Sequence, residues 1–249
     1  MVYRRISGTI FAAILISAPA AAEHHISYDY GVEKGAEKWG QLSDKYSLCE
    51  KGDMQSPIDL AKANAQGKIA LSVNYQAGPL TVSNKGLTIQ ADFAAGSSMT
   101  SGGATFNLIQ IHFHTPSEHA ISGKRYPLAG HFVHATEDGK LGVLGVMFEE
   151  GSANAELDKI LVAVPSGKSD IVTVSGQMID PNGMLPADLT TYRYMGSLTT
   201  PPCSEGVNWH VLRDPITASA AQIAALGKLM GDNARPLRAS HNRLVVAPE

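Results

Sequence analysis

The chain has 249 residues, 44% hydrophobic and 17% charged, which excludes a disordered chain, since such chains combine low hydrophobicity with high net charge. Its formal net charge of −3 gives no electrostatic reason to expect a nucleic-acid partner. Two cysteines are too few for a four-cysteine zinc site or a disulfide-dense scaffold, but enough for one bridge.

At the N-terminus, Arg4 and Arg5 form a basic segment and Ile10 to Ile16 an apolar run. That run is far shorter than the ~20 residues a membrane span needs. Small residues follow from Ser17 to Ala22. This is the layout of a secretory signal peptide cleaved after Ala22, with a mature domain over residues 23–249 and no membrane span. The arginine pair also hints at twin-arginine export. Removing residues 1–22 removes two arginines and no acid, so the net charge becomes −5. Export implies oxidising conditions, under which Cys49 and Cys203 are expected to pair. They lie 154 residues apart, and closing such a loop gives at most about 5 kcal/mol in the chain-entropy treatment.

The mature chain shows no internal repeat or interdomain linker. Leu71 to Tyr75 alternates apolar and polar residues, which predicts a strand. Pro79 to Val82 and Leu87 to Phe93 read as two strands around a Ser83-Asn84-Lys85-Gly86 turn. Leu108 to His114 is another alternating run. His131 to Ala135 and Leu141 to Phe148 form a hairpin across Glu137-Asp138-Gly139-Lys140. Val207 to Leu212 is a further strand. Helices are predicted over Ala153 to Leu161, capped by Ser152, and over Ala218 to Met230, capped by Thr217 or Ser219. The pattern points to a mainly β (α+β) single domain around a large central sheet with a few peripheral helices.

The strongest feature is Leu108-Ile109-Gln110-Ile111-His112-Phe113-His114. In a strand, alternate side chains share a face, so Leu108, Gln110, His112 and His114 are predicted to point one way. Ile109, Ile111 and Phe113 would point into a core. His131, on His131-Phe132-Val133-His134, is a third candidate ligand. Three neutral imidazoles with an open fourth position make a catalytic zinc site, which lowers the pKa of a bound water to about 7. By itself a His-x-His pair is more often structural than metal-binding; the surrounding motifs change that balance.

Gln110-Ile111-His112-Phe113-His114-Thr115-Pro116-Ser117-Glu118-His119 resembles the signature of the alpha-class carbonic anhydrases. So do Gln55-Ser56-Pro57-Ile58-Asp59, His131-Phe132-Val133-His134, Gly196-Ser197-Leu198-Thr199-Thr200-Pro201-Pro202 and Val207-Asn208-Trp209. The blocks occur in the family's order and the resemblance runs from about Ser27 to Val245. It implies a twisted, mostly antiparallel sheet and a Zn2+ ion held by His112, His114 and His131 at the base of a conical cleft. The implied reaction is reversible hydration of carbon dioxide to bicarbonate and a proton. A further implication is a disulfide whose second cysteine follows the Thr-Thr-Pro-Pro block, as Cys203 does. The N-terminal signal peptide points to a periplasmic location, and the expected state is a monomer or homodimer.

The resemblance also assigns roles. Thr199 orients the nucleophile and passes a hydrogen bond to Glu118, while its backbone N–H stabilises charge on the substrate oxygen. Thr200 borders the site. Val133, Val143, Leu198, Val207 and Trp209 form an apolar wall for an apolar substrate. Gln110 orients His112, and His114 is expected to bond the backbone carbonyl of Asn242. Tyr28 matches a tyrosine near Thr199. His119 matches a structural histidine; His134, His210 and His241 read as structural or surface residues.

The sequence departs from the family pattern in places. Leu87 stands where a proton-carrying histidine is usual, in Asn84-Lys85-Gly86-Leu87, and cannot serve as a shuttle. His24 and His25 could substitute only by folding over the cleft mouth. Ala129 replaces a glutamate that bonds the non-metal nitrogen of His131, and loss of such a partner typically costs about 10–100-fold in metal affinity or activity. Ile26 replaces a frequent tryptophan. Three functions are therefore weighed: a zinc carbonic anhydrase with slow proton transfer; a weakly active or inactive relative retained as a binding or scaffold protein; and an unrelated three-histidine metalloprotein such as a cupin-type oxygenase.

Overall fold

The computed structural model describes residues 27–249; the expected leader, His24, His25 and Ile26 lie outside the described residues. Among the described residues, thirteen strands hydrogen-bond into one sheet. In chain order they are β1 (Ala65–Gln66), β2 (Leu71–Asn74), β3 (Gly78–Asn84), β4 (Ile89–Asp92), β5 (Ser98–Ser101), β6 (Ala104–His114) and β7 (Leu128–Ala135). Then come β8 (Leu141–Glu150), β9 (Ile171–Ile179), β10 (Thr191–Ser197), β11 (Glu205–Leu212), β12 (Ile216–Ala218) and β13 (Val245–Ala247). The spatial order is β1-β13-β10-β11-β8-β7-β6-β4-β3-β9, with β12 beside β8, and β5 joining β6 to β2. The pairs β1/β13, β8/β11 and β8/β12 are parallel and the others antiparallel. Helices are short and peripheral: α1 (Trp39–Leu42), α2 (Leu48–Lys51), α3 (Ala155–Ala163) and α4 (Ala220–Met230).

Alternation on β7 divides the two faces of the sheet. Leu128 and Phe132 are fully buried in one cluster, which α3 and α4 cover through Leu157, Ile160 and Leu226. Val133, one residue on from Phe132, packs on the other face with Val143, Val207 and Trp209. The second face carries the candidate site.

Several boundaries differ from the sequence expectation for identifiable reasons. β6 carries a bulge: Leu108 faces His134 and Gln110 faces Val133, leaving Ile109 as the extra residue. Leu108 is therefore buried with Ile111 and Phe113, and Ile109 is 44% exposed, the reverse of strict alternation. Past the bulge Gln110, His112 and His114 share a face as expected. The predicted turn at 83–86 sits two residues later: β3 runs through Asn84, Lys85 N–H donates to the Thr88 carbonyl at 2.9 Å, and Gly86 takes φ +82°. The cap of α3 is Asn154, which accepts from the Glu156 and Leu157 amides, not Ser152. Ser219 caps α4 in a reciprocal capping box with Gln222.

Candidate metal centre

His112 on β6 lies directly across from His131 on β7, and His114 follows two residues along the same face. The three rings converge, with centroids 4.6–5.4 Å apart. One nitrogen from each lies within 4.8 Å of the others. His112 Nδ1 donates to Gln110 Oε1 at 3.0 Å, and His114 Nδ1 donates to the Asn233 carbonyl at 2.9 Å. Both acceptors lack a proton at the bonding oxygen, so each ring carries its hydrogen on Nδ1 and keeps a lone pair on Nε2. His114 Nε2 is buried and has no hydrogen-bond partner. Burial, reinforced by the neighbouring imidazoles, pushes His112 down to about 3 and His131 well below the ordinary value of 6.5. His112 and His131 are neutral at physiological pH, the state a metal requires. Three imidazole donors with an orphaned, buried lone pair fit a zinc ion.

The expected carbonyl partner of His114 is corrected. Asn242 is exposed, and the chain segment beside His114 is the one after α4, which brings Asn233 there instead. His131 differs from the other two. Its ring makes no hydrogen bond among the described residues and packs edge-on against Trp209, with centroids 4.9 Å apart. Beside it, between Ala129, Gly145 and Val211, is a gap too narrow to hold a water molecule.

Glu118 is completely buried. Its Oε1 accepts from the Arg235 amide at 2.9 Å; Oε2 has no hydrogen-bond partner and lies 3.5 Å from His114 Nε2 and 3.8 Å from His131 Nδ1. His131 is neutral, so its approach to Oε2 is a contact and not an ion pair. Thr199 is buried on the turn after β10, where Leu198 N–H donates to the Ser204 carbonyl and Cys203 N–H to that of Thr200, both at 2.9 Å. No hydrogen bond joins Thr199 to Glu118 among the described residues. Tyr28 lines the cleft with Thr200 and packs on Trp39; burial raises its phenol above the usual 10. Cys49 and Cys203 are disulfide-bonded and pack with Trp39, tying this turn to the N-terminal segment.

Val133, Val143, Leu198, Val207 and Trp209 belong to one apolar cluster beside the histidines. The centre opens into a cleft of about 620 Å³, lined among others by Tyr28, Leu87, Gln110, His112, His114 and Thr200. His119 Nε2 bonds the Tyr194 hydroxyl at 2.6 Å. His134 and His210 are buried against the Tyr75 and Ser101 hydroxyls, while His241 is exposed.

The profile of the family described as Eukaryotic-type carbonic anhydrase matches residues 34–248. This chain belongs to the alpha carbonic anhydrase family. A carbonic anhydrase of Pectobacterium carotovorum is 40% identical over 243 residues, covering 96% of this chain and 99% of that one. The alpha-carbonic anhydrase of Photobacterium profundum has a solved structure that superposes with a TM-score of 0.83 at 44% identity, covering 88% and 100% of the two chains. That of Thermovibrio ammonificans, solved with the inhibitor sulfanilamide, gives 0.85 at 40% identity over 89% and 99%. The chain is thus an enzyme of the carbonate dehydratase class.

Two residues that organise this carbonic anhydrase centre carry no motif in the sequence. Asn233 is fully buried: its carbonyl holds His114, its Oδ1 accepts from the Thr115 amide at 2.7 Å, and its Nδ2 donates to the carbonyls of Leu87 and Phe113. Arg235, 1% exposed, donates to Gln55, to the Ser56 carbonyl and to the Cys49 carbonyl while its amide holds Glu118. Burial lowers its guanidinium to about 10, still fully charged at neutral pH. Both follow α4 in an irregular segment. The only hint is a polar Asn-x-Arg just past Gly231, which is indistinguishable from a surface loop without knowing where the segment lands.

Proposed function

We propose that this carbonic anhydrase is an exported, zinc-dependent enzyme that hydrates carbon dioxide reversibly to bicarbonate and a proton, with proton removal as its slow step. Residues 1–22 are the export leader and residues 23–249 the catalytic domain, acting in the periplasm. The observation that carries the reading is the convergence of His112, His114 and His131 with the His114 Nε2 lone pair buried and unpartnered. Zinc, when bound there, supplies Lewis-acid activation of water near neutral pH. The chain supplies the rest. Gln110 and the Asn233 carbonyl fix the tautomers of His112 and His114. Glu118, anchored through Oε1 by the Arg235 amide, keeps Oε2 free to accept the Thr199 hydroxyl hydrogen, and Thr199 thereby presents only an acceptor to the attacking water. The Thr199 N–H stabilises negative charge on the substrate oxygen. Val143, Val207 and Trp209, at 1–2% exposure, with Val133 and Leu198, hold the substrate in a dry wall.

Leu87 lines the cleft where a proton carrier would be useful and has no titratable group. Turnover is expected to be low in dilute buffer and to rise with added imidazole. Stopped-flow hydration on the purified mature protein, with zinc content measured alongside, tests the reading: full zinc occupancy without hydration above background overturns it. Leu87→His is expected to raise turnover in dilute buffer by about 10-fold or more, within the usual range for a positioned proton carrier. The second reading, a weakly active or inactive relative retained as a binding or scaffold protein, draws on the unpartnered ring of His131 together with Leu87. It predicts hydration near background in that same measurement, with low zinc occupancy where the hold of His131 is the cause.

A further inference from the structure

Among the described cleft-lining residues are two lysines, Lys85 and Lys168, and no carboxylate, although the chain as a whole is acidic at −3. The two lysines are held on one rim by the backbone. The turn carrying Lys85 is fixed by the Lys85 N–H to Thr88 carbonyl bond and by Gly86 N–H donating to Asn84 Oδ1, both at 2.9 Å. Asn233 Nδ2 pins the next residue through the Leu87 carbonyl at 2.8 Å. The loop carrying Lys168 is stitched to the same turn: Ser169 N–H donates to the Asn84 carbonyl at 2.6 Å, and Asn84 Nδ2 to the Pro165 carbonyl at 3.2 Å. The Lys168 stem runs alongside Gly86, within 3.4 Å of where a Cβ there would sit. Asp170, the nearest acid on this loop, turns its carboxylate back over Gly167, outside the cleft lining.

The hydration reaction releases one proton per carbon dioxide. Lysine and tyrosine side chains are protonated at neutral pH and cannot accept it; the cleft's other titratable groups are the metal-centre histidines. A pair of exposed cations on backbone-held turns at a cleft mouth can instead concentrate an anion that does accept it. We propose that Lys85 and Lys168 form a docking site for a small dianionic oxyanion, of which hydrogen phosphate is the type, and that this ion takes the proton at the cleft mouth. The inference rests on the hydration reading above. The step is a proton transfer alone: HPO₄²⁻ gains H⁺ and leaves as H₂PO₄⁻, with no other bond made or broken.

The test compares phosphate with imidazole as the added proton acceptor, at matched pH near 7, in the parent and the Lys85→Gln/Lys168→Gln double variant. Hydration turnover is expected to saturate at about 10-fold lower phosphate than imidazole in the parent, the lower end of the focusing effect of a charged cleft. In the double variant the ratio between the two acceptors falls towards unity. Added sodium chloride shrinks the parent's phosphate advantage through screening. In parallel, inorganic phosphate is titrated into the ¹⁵N-labelled zinc-loaded protein. The amides of Lys85, Gly86, Lys168 and Ser169 are expected to shift saturably in the parent and not in the double variant. Equal saturation by the two acceptors in the parent, or an unchanged ratio in the variant, overturns the proposal. So does a variant in which only the Michaelis constant for bicarbonate dehydration rises, since the lysines would then draw substrate. Absence of hydration with every acceptor would remove the catalytic reading alone, because the phosphate titration still scores the site.

Discussion

The two halves of the candidate metal centre are built on different principles. His112 and His114, on β6, each give their Nδ1 hydrogen to a defined oxygen, at 3.0 and 2.9 Å. His131, across the strand pair on β7, is oriented by packing against Trp209, with Ala129 and a dry gap where a polar partner would sit. A hydrogen bond fixes a tautomer as well as a direction, whereas packing fixes only a plane. Three converged donors can thus offer a metal unequal holds, the weakest being set by a residue that would never touch it.

The largest effect is expected on the polar-held half. Asn233→Ala removes an oxygen acceptor and two donated hydrogen bonds from a fully buried position, though the backbone carbonyl to His114 survives in principle. The segment is then free to shift, and zinc affinity is expected to fall by about 100-fold, the upper end for outer-shell partners. Competition with a chromophoric chelator measures it. An unchanged affinity would mean that the carbonyl is positioned by the chain alone and that the two halves do not differ in kind.

Ala129→Glu attacks the other half and is expected to act in the opposite direction. Its carboxylate would accept from the free nitrogen of His131 and raise zinc affinity by about 10-fold. Because the gap admits no water, the longer side chain also overpacks it, so the apo protein is expected to lose about 1–3 kcal/mol in denaturant unfolding. Tighter zinc together with a less stable apo protein is the signature sought. A variant that loses stability and gains no affinity would show that packing by Trp209 is a sufficient hold.

Local features are readable in the sequence, and those made by distant segments are not. His112, His114 and His131 are readable because strand periodicity and neighbouring motifs place them on one face. The bulge at Ile109 is not, since an extra residue in one strand becomes visible only against its partner. The same applies to Asn233: the expectation settled on Asn242 because family order alone does not say which asparagine on the returning segment reaches His114. Ala129 could be recognised as a missing partner in sequence, but only the structure decides that neither another side chain nor water fills its place. The turn at Lys85–Thr88 was displaced by two residues because Asn84 both ends β3 and closes the turn with its side chain. Lys168 could not be linked to the cleft at all, because a backbone bond to Asn84 brings its loop there from 84 positions away in sequence.

The smallest effect is expected away from the metal, where buried imidazoles do a purely structural job. His134 and His210 are held neutral, at about 4 and about 3, chiefly by burial, and each bonds a hydroxyl at 2.8 Å. Their folded values lie below the unfolded 6.5, so on acidification the unfolded chain takes up protons first. The stability they contribute is present above pH 6.5 and is lost as pH falls from there towards about 4 for His134 and about 3 for His210. Each adds up to about 1.4 kcal/mol per pH unit to the slope in that window. His134→Gln keeps a polar group near Tyr75 and removes the titration, so unfolding free energy measured on the metal-free protein between pH 6.5 and 4 should flatten by about one proton's worth. The metal-free form is the right one, because zinc binding at His112, His114 and His131 has its own pH dependence in the same window. If the slope is unchanged in this variant, His134 is charged in the folded state. Its pairing with Tyr75 would then need the hydroxyl as acceptor, which would make burial on this face less dry than the Phe132 side of the sheet implies.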